Sequence, residues 1–189
     1  MIDYDYGVKL LPVDSANLET HRANRNHPAI RKWCRQRGLI DEIDQEKWFV
    51  RQSESPSISM FEIWDRNLVG VCGLTDVDPY NRRAEFSLYI APGHQGSGRG
   101  YKSLKTLCEF GFKDLGLEII WGETIGKNPA AKMFKRVGFS CTGYRPRFYF
   151  KEGKYHDSDI YCIDAATYFH KCSHQLTSVS SDKEDSKAI

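Results

Sequence analysis

Four of the nine residues from Pro92 to Gly100 are glycine, and they stand where one sequence pattern gives way to another. Before them, Arg83 to Ala91 reads as a strand. After them, Leu104, Leu107, Cys108, Gly111, Phe112 and Leu115 recur at helical spacing until Gly116 ends the pattern. Glycine lets a backbone turn sharply and lets N–H groups approach a ligand. A helix start adds N–H groups without partners, at the positive end of the peptide dipoles. Strand, loop and helix together read as a pyrophosphate cradle, with a tight structural turn as the plainer alternative. The segment is not a P-loop, because Gly-Lys-Ser/Thr is missing, and no βαβ start at the N-terminus precedes it as a dinucleotide fingerprint requires.

The flanking segments set the architecture. Val8 to Val13 reads as a first strand. Asp14 or Ser15 caps a helix running to about Asn26, which His27-Pro28 breaks. A second helical piece carries Ile30, Trp33 and Cys34 up to Gly38, and Gln45 to Gln52 is helical again. Ile58 to Trp64 and Leu68 to Val77 are strands joined at Arg66-Asn67, and Arg83 to Ala91 is the third in succession. Glu118 to Ile125 is a strand, and Pro129 to Val137 a short helix with proline at its first position and Gly138 as its stop. Phe139 to Lys151 and Tyr155 to Asp164 form a hairpin. These elements predict one α/β domain over residues 1–172, with a mixed, mostly antiparallel sheet of about six to seven strands flanked by helices. Residues 173–189 hold five serines and no aromatic residue, and are expected to be a disordered polar tail.

A chain of 189 residues suits one domain, and 40% hydrophobic with 13% aromatic residues supplies a core. Its apolar runs are short, so no membrane span is expected, and MIDYDYGVKL lacks the pattern of a secretory signal. The six cysteines form no CxxC pair, which fits reduced thiols in a cytoplasmic protein. His170, Cys172 and His174 lack a fourth ligand, and no metal is expected.

Gln95-x-x-Gly98-x-Gly100 resembles the acetyl-CoA loop of the GNAT superfamily of N-acetyltransferases. Arg83-Ala84-Glu85-Phe86 resembles the start of that family's fourth strand, and Asn128-Pro129-Ala130-Ala131 with Val137-Gly138-Phe139 resembles its N-x-x-A…G-F segment. The resemblance covers roughly residues 8–165. It implies that acetyl-CoA is the cosubstrate and that its pyrophosphate rests on the backbone of Gln95, Gly96, Ser97, Gly98, Arg99 and Gly100. The pantetheine would follow the strand near Tyr89 and Ile90, and Asn128 would contact it, hold the neighbouring loop or cap the next helix.

An acceptor amine with a pKa near ~10 is protonated at neutral pH, so a base must act before nitrogen attacks the thioester. Glu85 stands where many family members keep such a glutamate. The other reading makes Glu85 a solvent-facing partner of Arg82 or Arg83. A backbone N–H near Tyr89 is expected to stabilise the oxyanion. Where many relatives carry a tyrosine to protonate the thiolate, this chain has Phe134. Tyr144, Tyr149, Tyr155 and Tyr161 are candidate substitutes. A thiol pKa near ~8.5 makes the acid helpful rather than obligatory. Phe134 keeps open a non-catalytic acyl-CoA-binding regulator built on the same fold.

Arg25-Asn26-His27-Pro28 resembles a segment of enzymes that acetylate nucleotide-linked amino sugars. Asn81 to Glu85 and Gly153-Lys154-Tyr155-x-Asp157 resemble Rim-type enzymes that acetylate protein N-termini, and polyamine acetyltransferases share the outline. Net charge is only +2, but residues 22–37 carry six cations without an acid, and residues 127–154 carry eight against one. Two solvated faces would explain this. Read as walls of the acceptor channel, they disfavour a polyamine and favour an anionic small molecule or a peptide amine. Arg31 and Arg35, one helical turn apart, and Arg145 and Arg147, on one strand face, are the expected contacts. A homodimer is compatible with the pattern; no membrane partner is expected, nor is nucleic acid the expected one.

Overall fold

The structure is a computed structural model and describes residues 1–173. The expected tail and His174 lie outside the described residues, apart from Ser173. The strands are β1 (Lys9–Pro12), β2 (Ser59–Asp65), β3 (Asn67–Asp78), β4 (Arg83–Ile90), β5 (Ile119–Ile125), β6 (Ser140–Lys151) and β7 (Lys154–Asp164). The helices are α1 (Leu18–Asn26), α2 (Pro28–Arg31), α3 (Glu42–Glu54), α4 (Arg99–Glu109) and α5 (Ala131–Val137), followed by a helix α6 over 165–173.

One seven-stranded sheet runs in the order β1-β2-β3-β4-β5-β7-β6. β4 and β5 pair in parallel and the other neighbours pair antiparallel. The expected mixed, mostly antiparallel α/β sheet is therefore present. Its turns follow local chemistry. Arg66, at φ 60°, closes the β2–β3 turn. Glu152 and Gly153, at φ 51° and 76°, close the β6–β7 hairpin with two left-handed residues, the geometry that suits the twist of paired strands. Asp41 accepts the Asp44 N–H at 2.7 Å and caps α3.

α4 lays Leu104, Leu107 and Cys108 against Leu74 and Ile120 of the sheet, all fully buried. Each leucine contributes about 1.5–3 kcal/mol by leaving water. The helical pattern read as running to Gly116 changes pitch on the way. Residues Phe110–Asp114 form a wider π-turn, with the Leu115 N–H donating to the Phe110 carbonyl at 3.1 Å. α6 has no counterpart in the sequence reading. Asp164 starts it by accepting the Thr167 N–H at 2.7 Å. Tyr168, fully buried, secures it with its hydroxyl on the Lys105 carbonyl and Glu109, both at 3.2 Å. No helix among the described residues is long and apolar enough to cross a membrane.

Candidate active site

The site is a fork in the sheet. β4 and β5 pair at Arg83–Ile119, Ala84–Ile120 and Glu85–Trp121, and then part. Phe86 is the wedge. A Cβ on Gly122 would lie 2.3 Å from the Phe86 ring, so that ring occupies space that only glycine leaves on β5. Edge-on contacts with Phe134 and Phe139, each at 5.1 Å between centroids, hold it there. The opening is a cleft of about 870 Å³ running from the glycine loop, past Leu88 and Ile90, to Arg35, Glu85 and Glu123.

At the loop end, Gly96 and Gly98 take φ values of 76° and 78°, and a Cβ on either would face open space. Gly98 is the N-cap of α4, which has no side-chain cap and no acid in its first turn. The polar side chains of the loop brace it from within. Gln95 donates to the Ile90 carbonyl at 2.9 Å, and Ser97 to the His94 carbonyl at 2.7 Å. Arg99 turns to Asp65 at 2.8 Å. The backbone N–H groups of an uncapped helix start are left to meet an anion. Asn128 lines the cleft and its side-chain oxygen accepts the Ala130 N–H at 2.9 Å. Pro129 therefore lies in a turn, and α5 begins at Ala131 rather than at the expected proline.

The open edge of β4 narrows the choice of the expected oxyanion donor, a backbone N–H near Tyr89, by excluding that of Tyr89 itself. The Ala91 N–H donates to the Val69 carbonyl at 2.8 Å, and Val71 pairs with Tyr89 in the same ladder. The two-residue alternation commits the Tyr89 N–H to β3 as well, and turns those of Leu88 and Ile90 to the cleft. The Tyr89 side chain lies on the opposite face to theirs. Its hydroxyl meets His21 Nδ1 at 3.2 Å, and His21 Nε2 meets Glu62 at 2.9 Å. Glu62, buried, also accepts from Trp64 Nε1 at 3.0 Å and the Asp14 N–H at 3.1 Å. This chain fastens α1 to β2 and β4, and burial pushes the Tyr89 phenol up, keeping it protonated.

Two buried carboxylates stand at the fork. Glu85 is 4% exposed and Arg35 reaches it at 2.8 Å. Arg82 pairs with Glu118 and Arg83 with Asp78, so the solvent-facing reading of Glu85 is set aside. Burial raises the Glu85 carboxyl above its ordinary value; Arg35 opposes the shift, and Asp76 and Glu123 add to it. Glu123, equally enclosed, takes Arg145 at 3.1 Å, Tyr149 Oη at 2.9 Å and Ser158 Oγ. Arg35 also lies 3.8 Å from it. The sequence reading missed Glu123. Its signal was a lone charged residue in the run Ile119 to Ile125, on the Trp121 face.

The four arginines expected to hold an anion do not converge. α2 ends at Arg31, so Arg31 and Arg35 share no helical face. Arg31 instead faces Glu152 at 3.7 Å. A bulge between Arg145 and Tyr149, with Arg147 at φ 52°, separates Arg145 from Arg147. Arg147 lies over the Tyr155 ring at 4.6 Å. Charge counted along the chain missed these partners because they come from other elements. Of the four substitute tyrosines, Tyr149 reaches a cleft carboxylate. Tyr161 packs on Phe134 at 5.5 Å, and Tyr144 and Tyr155 are exposed.

Residues 8–140 match the acetyltransferase (GNAT) domain family. The chain belongs to that family. The spermidine N(1)-acetyltransferase of Escherichia coli K12 is 27% identical over 163 residues, spanning 84% of this chain and 86% of the relative. The putative ribosomal N-acetyltransferase YdaF of Bacillus subtilis is 24% identical over 117 residues, 61% of this chain and 64% of its own. The Vibrio cholerae spermidine N-acetyltransferase solved with CoA and spermine superposes with a TM-score of 0.81 at 22% identity, covering 87% of this chain and 99% of that one. This GNAT protein is an acetyl-CoA-dependent N-acetyltransferase, and the binding-only alternative gives way.

Proposed function

We propose that the acceptor is a primary aliphatic amine of the polyamine class and that Glu85 takes its proton. The observation that carries this is a buried carboxyl with a raised pKa at the last paired position of β4, where the fork opens. The first turn of α4 with Gly96 and Gly98 would hold the pyrophosphate of acetyl-CoA. The open N–H groups of Leu88 and Ile90 would line its pantetheine and thioester carbonyl, and Asn128 would border the same arm.

In the reaction the ammonium gives one proton to Glu85. The free nitrogen then forms the C–N bond as the C–S bond breaks. Its second proton leaves with the thiolate to give the thiol, and Glu85 returns its proton to solvent. Phe134 donates nothing, and a thiolate with pKa near ~8.5 departs without an acid.

The argument that basic walls disfavour a polyamine loses force, because Arg35 and Arg145 are matched by Glu85 and Glu123, and Arg31 by Glu152. Spermidine, the acceptor named for the Escherichia coli relative, is the first to try. Thiol release from acetyl-CoA with spermidine, a nucleotide-linked amino sugar and a peptide with a free N-terminus tests the reading. The highest kcat/KM should fall to spermidine; preference for either of the others overturns it. The edge strand β6 presents Tyr144, Phe148 and Phe150 to solvent, which supports pairing with a second copy, and light scattering that gives a monomer would remove it.

A further inference from the structure

We infer that the space between Glu85 and Glu123 is a cation-binding subsite, filled in the resting protein by the Arg35 guanidinium, which the acceptor's ammonium displaces. The inference rests on the reading of the acceptor as an amine. Arg35 spans the two carboxylates without seating on either as a fork. One nitrogen lies 2.8 Å from Glu85 Oε1 and the other 3.8 Å from Glu123 Oε2. A guanidinium built into a permanent pair would present two parallel hydrogen bonds to one carboxylate.

The side chain of Arg35 is half exposed, whereas both carboxylates are at most 5% exposed. It projects from bends that follow the four-residue α2, not from a regular element. The backbone beside it is anchored, because Lys151 from the hairpin donates to the Arg31 and Cys34 carbonyls. The arm is therefore tethered at its base and able to swing at its end.

The two carboxylates differ in what remains when the arm leaves. Glu123 keeps Arg145, Tyr149 and Ser158. Among the described residues, Arg35 is the cation paired with Glu85. A buried carboxylate does not stay ionised without a counter-charge, so another cation must take the place of Arg35 as it goes. The acceptor ammonium brings that charge and the N–H donors that Glu85 needs. The ammonium serves as the counter-charge until its proton passes to Glu85; no cation then remains beside the carboxyl, and burial, Asp76 and Glu123 favour its protonated form. The chemical class is a compact cation with N–H donors, and a quaternary ammonium ion does not fit.

Thermal melting with small cations at constant ionic strength tests the subsite without turnover. In Arg35→Ala, methylguanidinium at about ten times its dissociation constant should raise Tm by roughly 3–6 °C, and tetramethylammonium should not. Wild type and Arg35→Lys, which carry their own cation, should not respond. Arg35→Gln serves the same purpose if Arg35→Ala does not fold. Equal responses in wild type and variant, or none in either variant, overturn the subsite. With spermidine as acceptor, Arg35→Gln should lower acceptor KM severalfold and leave that for acetyl-CoA unchanged, since a competing occupant is gone. A rise in acceptor KM would make Arg35 a binding group and defeat the displacement. If spermidine is no substrate, the amine reading of function fails while the melting result still decides the subsite.

Discussion

The two ends of the cleft are built on different principles. The proposed coenzyme end is local: Gly96, Gly98 and the start of α4 follow one another in the chain, and a site there would be made of backbone N–H groups whatever their side chains do. The acceptor end is assembled. Glu85 comes from β4, Glu123 from β5, Arg35 from the bends after α2, Arg145 and Tyr149 from β6, and Ser158 from β7. A site made of backbone tolerates side-chain change around it. A site made of buried charges depends on every partner, because each carboxylate is costly without its counter-charge. On the proposed function, the first kind would bind a ligand part shared by many reactions, and the second would choose the acceptor.

The comparison breaks first at Glu85. Glu85→Gln keeps the shape and removes the base, and kcat should fall by about 10²-fold or more. Wild-type kcat/KM should decline as pH falls through the raised Glu85 value, because the base is then protonated. The variant should lose that acidic limb. An unchanged rate and profile would make Glu85 structural and reduce the acceptor end to packing.

At the other end, Gly98→Val puts a β-branched residue at φ 78°, a strain of about 1–3 kcal/mol, and a side chain where the pyrophosphate would lie. Acetyl-CoA affinity should drop at least tenfold, roughly 1.4 kcal/mol, by calorimetry. Unchanged affinity would show that the loop is a turn and no more.

Gly122→Ala tests the wedge between the two ends. Its Cβ would come within 2.3 Å of the Phe86 ring, so the ring must shift, costing about 1–3 kcal/mol. A lowered Tm with weaker acetyl-CoA binding is expected; normal binding would mean that the fork stays open without Phe86.

The smallest change is Tyr149→Phe, which removes one donor from Glu123 and leaves Arg145 and Ser158 in place. Acceptor kcat/KM should fall roughly tenfold or less, because the loss is one hydrogen bond to a charged group at a half-buried site. An effect as large as that of Glu85→Gln would give Tyr149 a direct part in proton transfer.

Much of the fold was legible residue by residue. Alternation in Ile58 to Trp64 and turn residues between segments marked the seven strands, the Leu104–Leu107–Cys108 spacing marked α4, and Gly138 marked the end of α5. α6 escaped because its first turn is set by one capping contact at Asp164 and its stability by Tyr168 docking in the core. The glycine loop was legible because its conformation is a property of consecutive residues: glycine permits positive φ, and the helix that follows supplies the N–H groups. Glu85 was singled out by the resemblance of its segment to the fourth strand of the family. What the sequence could not determine was the company Glu85 keeps. The runs of arginine read as open cationic walls, but the fold places Glu85, Glu123 and Glu152 against them. Electrostatic partners are chosen by distance in space, and a fork in a seven-stranded sheet brings together charges that no window along the chain contains. The conformation of the glycine loop was therefore legible in the sequence itself, and the pairing of charges at the other end was decided by tertiary structure alone.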